Sequence, residues 1–237
     1  MNGQWIELAT PEGESFEGYL SLPPTGTGPG IVLIQEIFGV NEHIRTVADQ
    51  YALDGYVVLA PDLFWRMKPR VNLGYDEAGF KEGFGLMTCL DIDLAIKDIT
   101  VGAKTLRARP EVTGRVASLG YCMGGLLSYL TAASGSVDAS ICYYGAGIEG
   151  YLKQASQIHC PILLHFAEKD AYIPAAAVKS ISKLFDKKGD AWVLSYPGVD
   201  HGFNCWGRPM YNQSAAALAR GRSLEFLSIY MAPAQSS

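Results

Sequence analysis

A cysteine flanked by glycines, Gly120-Tyr121-Cys122-Met123-Gly124-Gly125, is the part of this sequence best suited to chemistry. An apolar run (116–119) precedes it and a helical pattern (126–133) follows it. The string G-x-nucleophile-x-G between strand and helix holds a nucleophile on a sharp bend, and the glycines make room where side chains would clash. The helix that begins just after Cys122 aims free N–H groups and its positive dipole end at the thiol, which favours thiolate.

Such a nucleophile needs a base and an acid to orient it, and on this kind of turn they follow in the order acid, then histidine. Asp170 follows the apolar run 162–166, and His201 follows the run 192–196. Histidine suits the base role because its pKa lies near working pH, while the carboxylate fixes its tautomer and offsets its charge. Glu168 and Asp200 compete for the acid role, but Asp200 adjoins His201 and adjacent side chains point apart, so Asp170 is preferred. His43, His159 and His165 begin a helix, precede a strand and lie within one, and are read as structural. Of the other cysteines, Cys89, Cys142 and Cys160 fall on core elements or beside them, and Cys205 falls near the site.

These residues need a scaffold, and the chain alternates short apolar runs with helical patterns. Strands are expected at 4–8, 15–22, 30–35, 56–60, 116–119, 139–143, 162–166 and 192–196. Helices are expected at 42–53, 86–107, 126–133 and 214–230, with a long loop and a short helix over 61–85. Repeated strand–helix units of this kind imply an α/β architecture, a mostly parallel doubly wound sheet flanked by helices, in a single domain over 1–237. Cys122, Asp170 and His201 then all stand at the carboxyl edge of the sheet, where such folds bind ligands.

With 237 residues, 49% of them hydrophobic and 18% charged, the chain can bury one large core. A net charge of -5 disfavours a nucleic-acid partner. No apolar stretch is long enough to span a bilayer, and the N-terminus lacks the pattern of a signal peptide. Five scattered cysteines form neither a disulfide framework nor a zinc spacing, so a reducing cytoplasm and no metal or cofactor are expected. The expected partner is a small ester or lactone, with the chain a monomer or a weak homodimer.

The motifs together resemble the dienelactone hydrolase (carboxymethylenebutenolidase) family over nearly the whole chain. The likeness is carried by Gln35-Glu36-Ile37-Phe38-Gly39-Val40-Asn41, Ala60-Pro61-Asp62-Leu63, the cysteine turn, Tyr143-Tyr144-Gly145 and Ser214-Ala215-Ala216-Ala217. The resemblance implies an α/β-hydrolase fold with Cys122, Asp170 and His201 as triad. It also implies that Glu36 is a buried carboxylate holding the resting thiol, and that the N–H groups of Ile37 and Met123 form the oxyanion hole. A carboxylate beside a thiol can accept its proton when burial raises its pKa.

The departure is in substrate recognition. Well-known members hold a lactone carboxylate with two arginines; here Cys205 occupies the position four after His201, Arg208 is the nearby cation, and Lys81 stands near the other position. Lysine lacks the bidentate fork of arginine. Tyr143, Tyr172, Phe203 and Trp206 are candidate pocket walls, as are Phe64, Trp65 and Arg66. The function expected is hydrolysis of an enol lactone, giving a maleylacetate-type product, through a thioester on Cys122. A broader carboxylesterase or thioesterase on the same triad is the nearest rival. A non-catalytic binding or redox-sensing protein using Cys122 is the more distant one.

Overall fold

The computed structural model describes residues 3–232. Eight strands form one sheet: β1 (Gln4–Ala9), β2 (Ser15–Ser21), β3 (Gly28–Ile34), β4 (Val57–Pro61), β5 (Val112–Tyr121), β6 (Ala139–Tyr143), β7 (Ile162–Ala167) and β8 (Ala191–Tyr196). Their spatial order is β1-β2-β4-β3-β5-β6-β7-β8. The pairs β1/β2 and β2/β4 are antiparallel, and every later pair is parallel.

The apolar runs of the central strands have a simple cause. Ile31 and Leu33 point into one core layer with Val47, Ala48 and Tyr51 of helix α1 (Glu42–Leu53) and Phe226 and Leu227 of helix α6 (Gln213–Tyr230). Val32 and Ile34, one residue out of phase, point into the opposite layer with Ala95, Ile99 and Leu106 of helix α3 (Ile92–Ala108). A strand covered on both faces must be apolar at every position. Each fully buried side chain of this size contributes about 1.5–3 kcal/mol. Among the described residues, no helix is long and apolar enough to cross a membrane.

The boundary between two expected helices moves. The short helix expected within 61–85 is α2 (Glu77–Cys89), which runs four residues into the pattern expected over 86–107, and α3 starts only after Asp91, whose side chain accepts from the Leu94 amide at 3.0 Å. Asp76 caps α2 in the same way, accepting from Gly79 at 2.8 Å. An N-cap aspartate inside an unbroken apolar period outweighs the periodicity. Helix α4 (Met123–Ala133) follows β5, and α5 (Ala175–Phe185) follows β7.

The chain leaves β3 toward β4 on one side, then returns to place β5 on the other side of β3. Loops after β3 and β5 therefore diverge at a crevice on the carboxyl edge, the topological switch point. Glu36 follows β3 and Cys122 follows β5.

Candidate active site

Cys122 has φ 56° and ψ -118°, a strained left-handed conformation for a non-glycine residue. The bend is possible because its neighbours lack side chains. A Cβ on Gly120 would lie 1.9 Å from the Gly124 carbonyl oxygen, and one on Gly124 would lie 2.5 Å from the carbonyl oxygens of both Gln35 and Ile34. The Cys122 amide donates to Tyr143 O at 3.0 Å, tying the turn to β6. Cys122 is the N-cap residue of α4, whose first residue is Met123.

The loop after β7 carries Asp170 and the loop after β8 carries His201. Nδ1 of His201 donates to Asp170 Oδ2 at 2.8 Å, and the other carboxylate oxygen accepts from the Tyr172 amide at 2.9 Å. Both side chains are almost wholly buried, so their interaction is little screened. With Nδ1 engaged, Nε2 is the nitrogen left for Cys122. Burial opposes a charge on His201, but a Cys122 thiolate and the Asp170 carboxylate outweigh it and raise the imidazole pKa to about 10.

The competing acids have other tasks. Glu168 accepts from the Gly198 amide at 2.7 Å, bracing the two loops, and Asp200 accepts from the His201 amide at 2.6 Å on the exposed side of its turn.

Cys122 and His201 open on a cavity of about 80 Å³, walled also by Ile37, Phe38, Phe80, Phe84, Met87, Ala146, Tyr172 and Arg208. A much larger surface depression, about 670 Å³ around Arg66, Asp98 and Lys104, shares none of these residues. Phe80, Phe84 and Met87 recur at the i, i+4, i+7 spacing of one helical face of α2. That face lies against the loop after β3, with Gly83 so close to it that a Cβ there would come within 2.4 Å of Ile37 O.

Seven expected pocket residues lie elsewhere. Lys81 is one step round α2 from Phe80 and is exposed, off the cavity wall. Tyr143 is fully buried, bonded to Ser223 Oγ at 2.7 Å, with its ring beside Tyr121 and His165. Strand alternation at the end of β6 turns it into the core, and Tyr144 (φ 35°) is the one whose ring sits 5.0 Å from that of His201. Phe203 is fully buried behind the site against Tyr144 and Tyr196. Trp206 covers His43, ring centroids 4.1 Å apart, over a separate depression. Phe64 and Trp65 pack in the layer on the α3 face, and Arg66 pairs with Asp98. Tyr172 and Arg208 do wall the cavity, as does Ile37.

Glu36 is buried, with Arg208 Nη1 3.5 Å from Oε1. Neither carboxylate oxygen has a hydrogen-bond partner among the described residues. Burial raises its pKa, against the opposing pull of Arg208 and then His201. A proton therefore resides on Glu36 more readily than on an exposed glutamate.

This strand order, with a strained cysteine turn between β5 and α4, defines an α/β-hydrolase fold. The chain belongs to the dienelactone hydrolase family, whose model matches residues 16–231. It is 34% identical to the carboxymethylenebutenolidase of Pseudomonas putida over 232 residues, covering 98% of this chain and 97% of that one. Carboxymethylenebutenolidase 1 of Cupriavidus pinatubonensis is 32% identical over 96% of this chain and 97% of its own length. A crystal structure of a candidate dienelactone hydrolase from Klebsiella pneumoniae superposes with a TM-score of 0.83 at 27% identity, covering 97% of this chain and all (100%) of that one.

Proposed function

We propose that this hydrolase opens a lactone or small activated ester through a thioester on Cys122. The observation that carries the reading is the meeting of Cys122 and the Asp170-held His201 at one apolar cavity. The Cys122 thiolate attacks the carbonyl carbon, and the resulting oxyanion is held by the N–H groups of Met123 and Ile37. Collapse breaks the ring C–O bond, and His201, which stands as imidazolium beside the thiolate and Asp170, gives its proton to the departing oxygen and becomes neutral. His201 next takes a proton from water as that water attacks the thioester, and the product carboxylate leaves with Cys122 restored. Glu36 accepts the resting thiol's proton, a role supported by its burial and raised pKa. An enol lactone fits this chemistry because its leaving enolate is stabilised, and the family's carboxymethylenebutenolidases support the choice.

Brief exposure to an activated ester, followed by mass spectrometry, tests the mechanism. An acyl adduct on Cys122, absent in Cys122→Ala, is expected; turnover that persists in Cys122→Ala would refute it.

A second reading, preference for neutral esters, is favoured by the charges around the cavity. Among the described residues its one lysine or arginine, Arg208, already faces Glu36, and Lys81 lies off the wall. Comparing kcat/KM for a dienelactone carboxylate with that for its methyl ester decides between the two. Lys81→Ala should leave both values within about twofold, as expected for an exposed surface residue. Arg208→Ala should raise KM for the carboxylate alone if Arg208 binds it.

A further inference from the structure

Three buried side chains from distant segments meet beside the site. Glu36 follows β3, His43 is the second residue of α1, and Cys205 lies in the turn after His201. One ligating atom from each lies within 4.8 Å of the other two. Their exposures are 1%, 4% and 0%. Both ring nitrogens of His43 and both carboxylate oxygens of Glu36 lack a hydrogen-bond partner among the described residues. Buried polar groups are nearly always paired, and Arg208 Nη1, 3.5 Å from Oε1, faces only one of the Glu36 oxygens, so the lone pairs left in this small space call for a partner that accepts electron density.

We propose that Glu36, His43 and Cys205 form a binding site for a zinc-class divalent cation. Thiolate, imidazole and carboxylate together suit a borderline-soft ion that takes tetrahedral geometry, with the fourth position left to water. Ligand atoms around such an ion stand about 3.3–3.8 Å apart, so a contraction by roughly an ångström closes the site. Entry is from a surface depression of about 370 Å³ that His43 lines together with Tyr75 and Trp206. Binding releases the Cys205 thiol proton to solvent. The two anionic ligands then match the ion's double charge, and Arg208 remains as an extra positive charge 3.5 Å from one Glu36 oxygen. That cation weakens the site relative to a structural zinc centre, so the ion is exchangeable. On the reading of Glu36 as the acceptor of the Cys122 proton, a bound ion withdraws Glu36 from that task and inhibits hydrolysis.

Cobalt(II) titration of Cys122→Ala protein tests binding without turnover, so its outcome is independent of the proposed hydrolysis. One cobalt per chain is expected, with sulfur-to-cobalt charge-transfer absorption and the visible bands of a four-coordinate ion. Adding Cys205→Ser should abolish the charge-transfer band, and adding His43→Gln should weaken binding at least tenfold. Thermal melts without metal establish that each variant folds, and if one does not, the other carries the test. No sulfur band in Cys122→Ala protein would overturn the proposal, the unmatched atoms then being served by water. A band undiminished by Cys205→Ser would also overturn it, since the ion would lie at another thiol. For the regulatory consequence, zinc should inhibit ester turnover in otherwise unaltered protein at concentrations at least tenfold lower than in Cys205→Ser. Equal inhibition would overturn that link.

Discussion

His201 Nδ1 lies 2.8 Å from Asp170 Oδ2, and both side chains are withdrawn from water. The pair holds Nδ1, and on the proposed mechanism Nε2 then serves Cys122. Asp170→Asn keeps the shape but presents an amide that can stabilise the wrong tautomer and offers no charge to an imidazolium. We expect kcat for an activated ester to fall about 10²–10⁴-fold, with KM changed little. Steady-state kinetics at saturating ester checks this, and a kcat within a factor of three of the parent would remove Asp170 from the mechanism.

Phe80 and Phe84 stand on the cavity rim and remain partly exposed, at 38% and 47%. A substrate in contact with them completes their burial. Trimming either to alanine should cost roughly 1–2 kcal/mol of transition-state binding for an apolar acyl group, about 5–30-fold in kcat/KM. Acetate esters, too short to reach the rim, should be affected least. A ladder of acyl chain lengths tests this, and a uniform loss at every length would contradict it.

Gly124 leaves no room for a side chain against the end of β3. In Gly124→Ala the new methyl group meets two backbone oxygens, which cannot swing aside as a side chain does. A stability loss of at least about 2 kcal/mol is expected, with activity lost further because Cys122 shifts. Urea unfolding together with acyl trapping at Cys122 separates the two effects.

His165 is buried within β7, bonded to Tyr196 Oη at 2.7 Å and Ser223 Oγ at 3.0 Å. Burial, aided by the Arg222 charge, pushes its pKa down from 6.5 to about 3. Between these values the unfolded chain binds a proton that the folded one refuses. Stability therefore falls as pH drops below 6.5 and this contribution levels off near pH 3, at most about 1.4 kcal/mol per pH unit. His165→Gln should flatten the fall in urea midpoint between pH 6 and pH 4. An unchanged slope would show that His165 takes no part in it.

Much of this was legible in the chain itself, for identifiable reasons. The strands at β3 to β8 announce themselves because burial on both faces demands unbroken apolar runs. The cysteine turn is equally plain, since its glycines are required by backbone contacts within a few residues. The division of α2 from α3 was less visible, although Asp76 and Asp91 are the capping signals for it. The pocket wall was misjudged where side-chain direction decided the matter: Lys81 beside Phe80, and Tyr143 beside Tyr144.

By itself the sequence determined the elements, their order, and the residue types at their carboxyl ends, because local periodicity and turn sterics act over a few residues. That was enough to put a cysteine, an aspartate and a histidine on one edge of a sheet. Only the tertiary structure decided which neighbours those residues have. The 2.8 Å approach of Asp170 to His201, the facing of Arg208 by Glu36, and the gathering of Glu36, His43 and Cys205 each join segments far apart in the chain. Such distances depend on how the sheet twists and the loops close, and no spacing along the sequence encodes them.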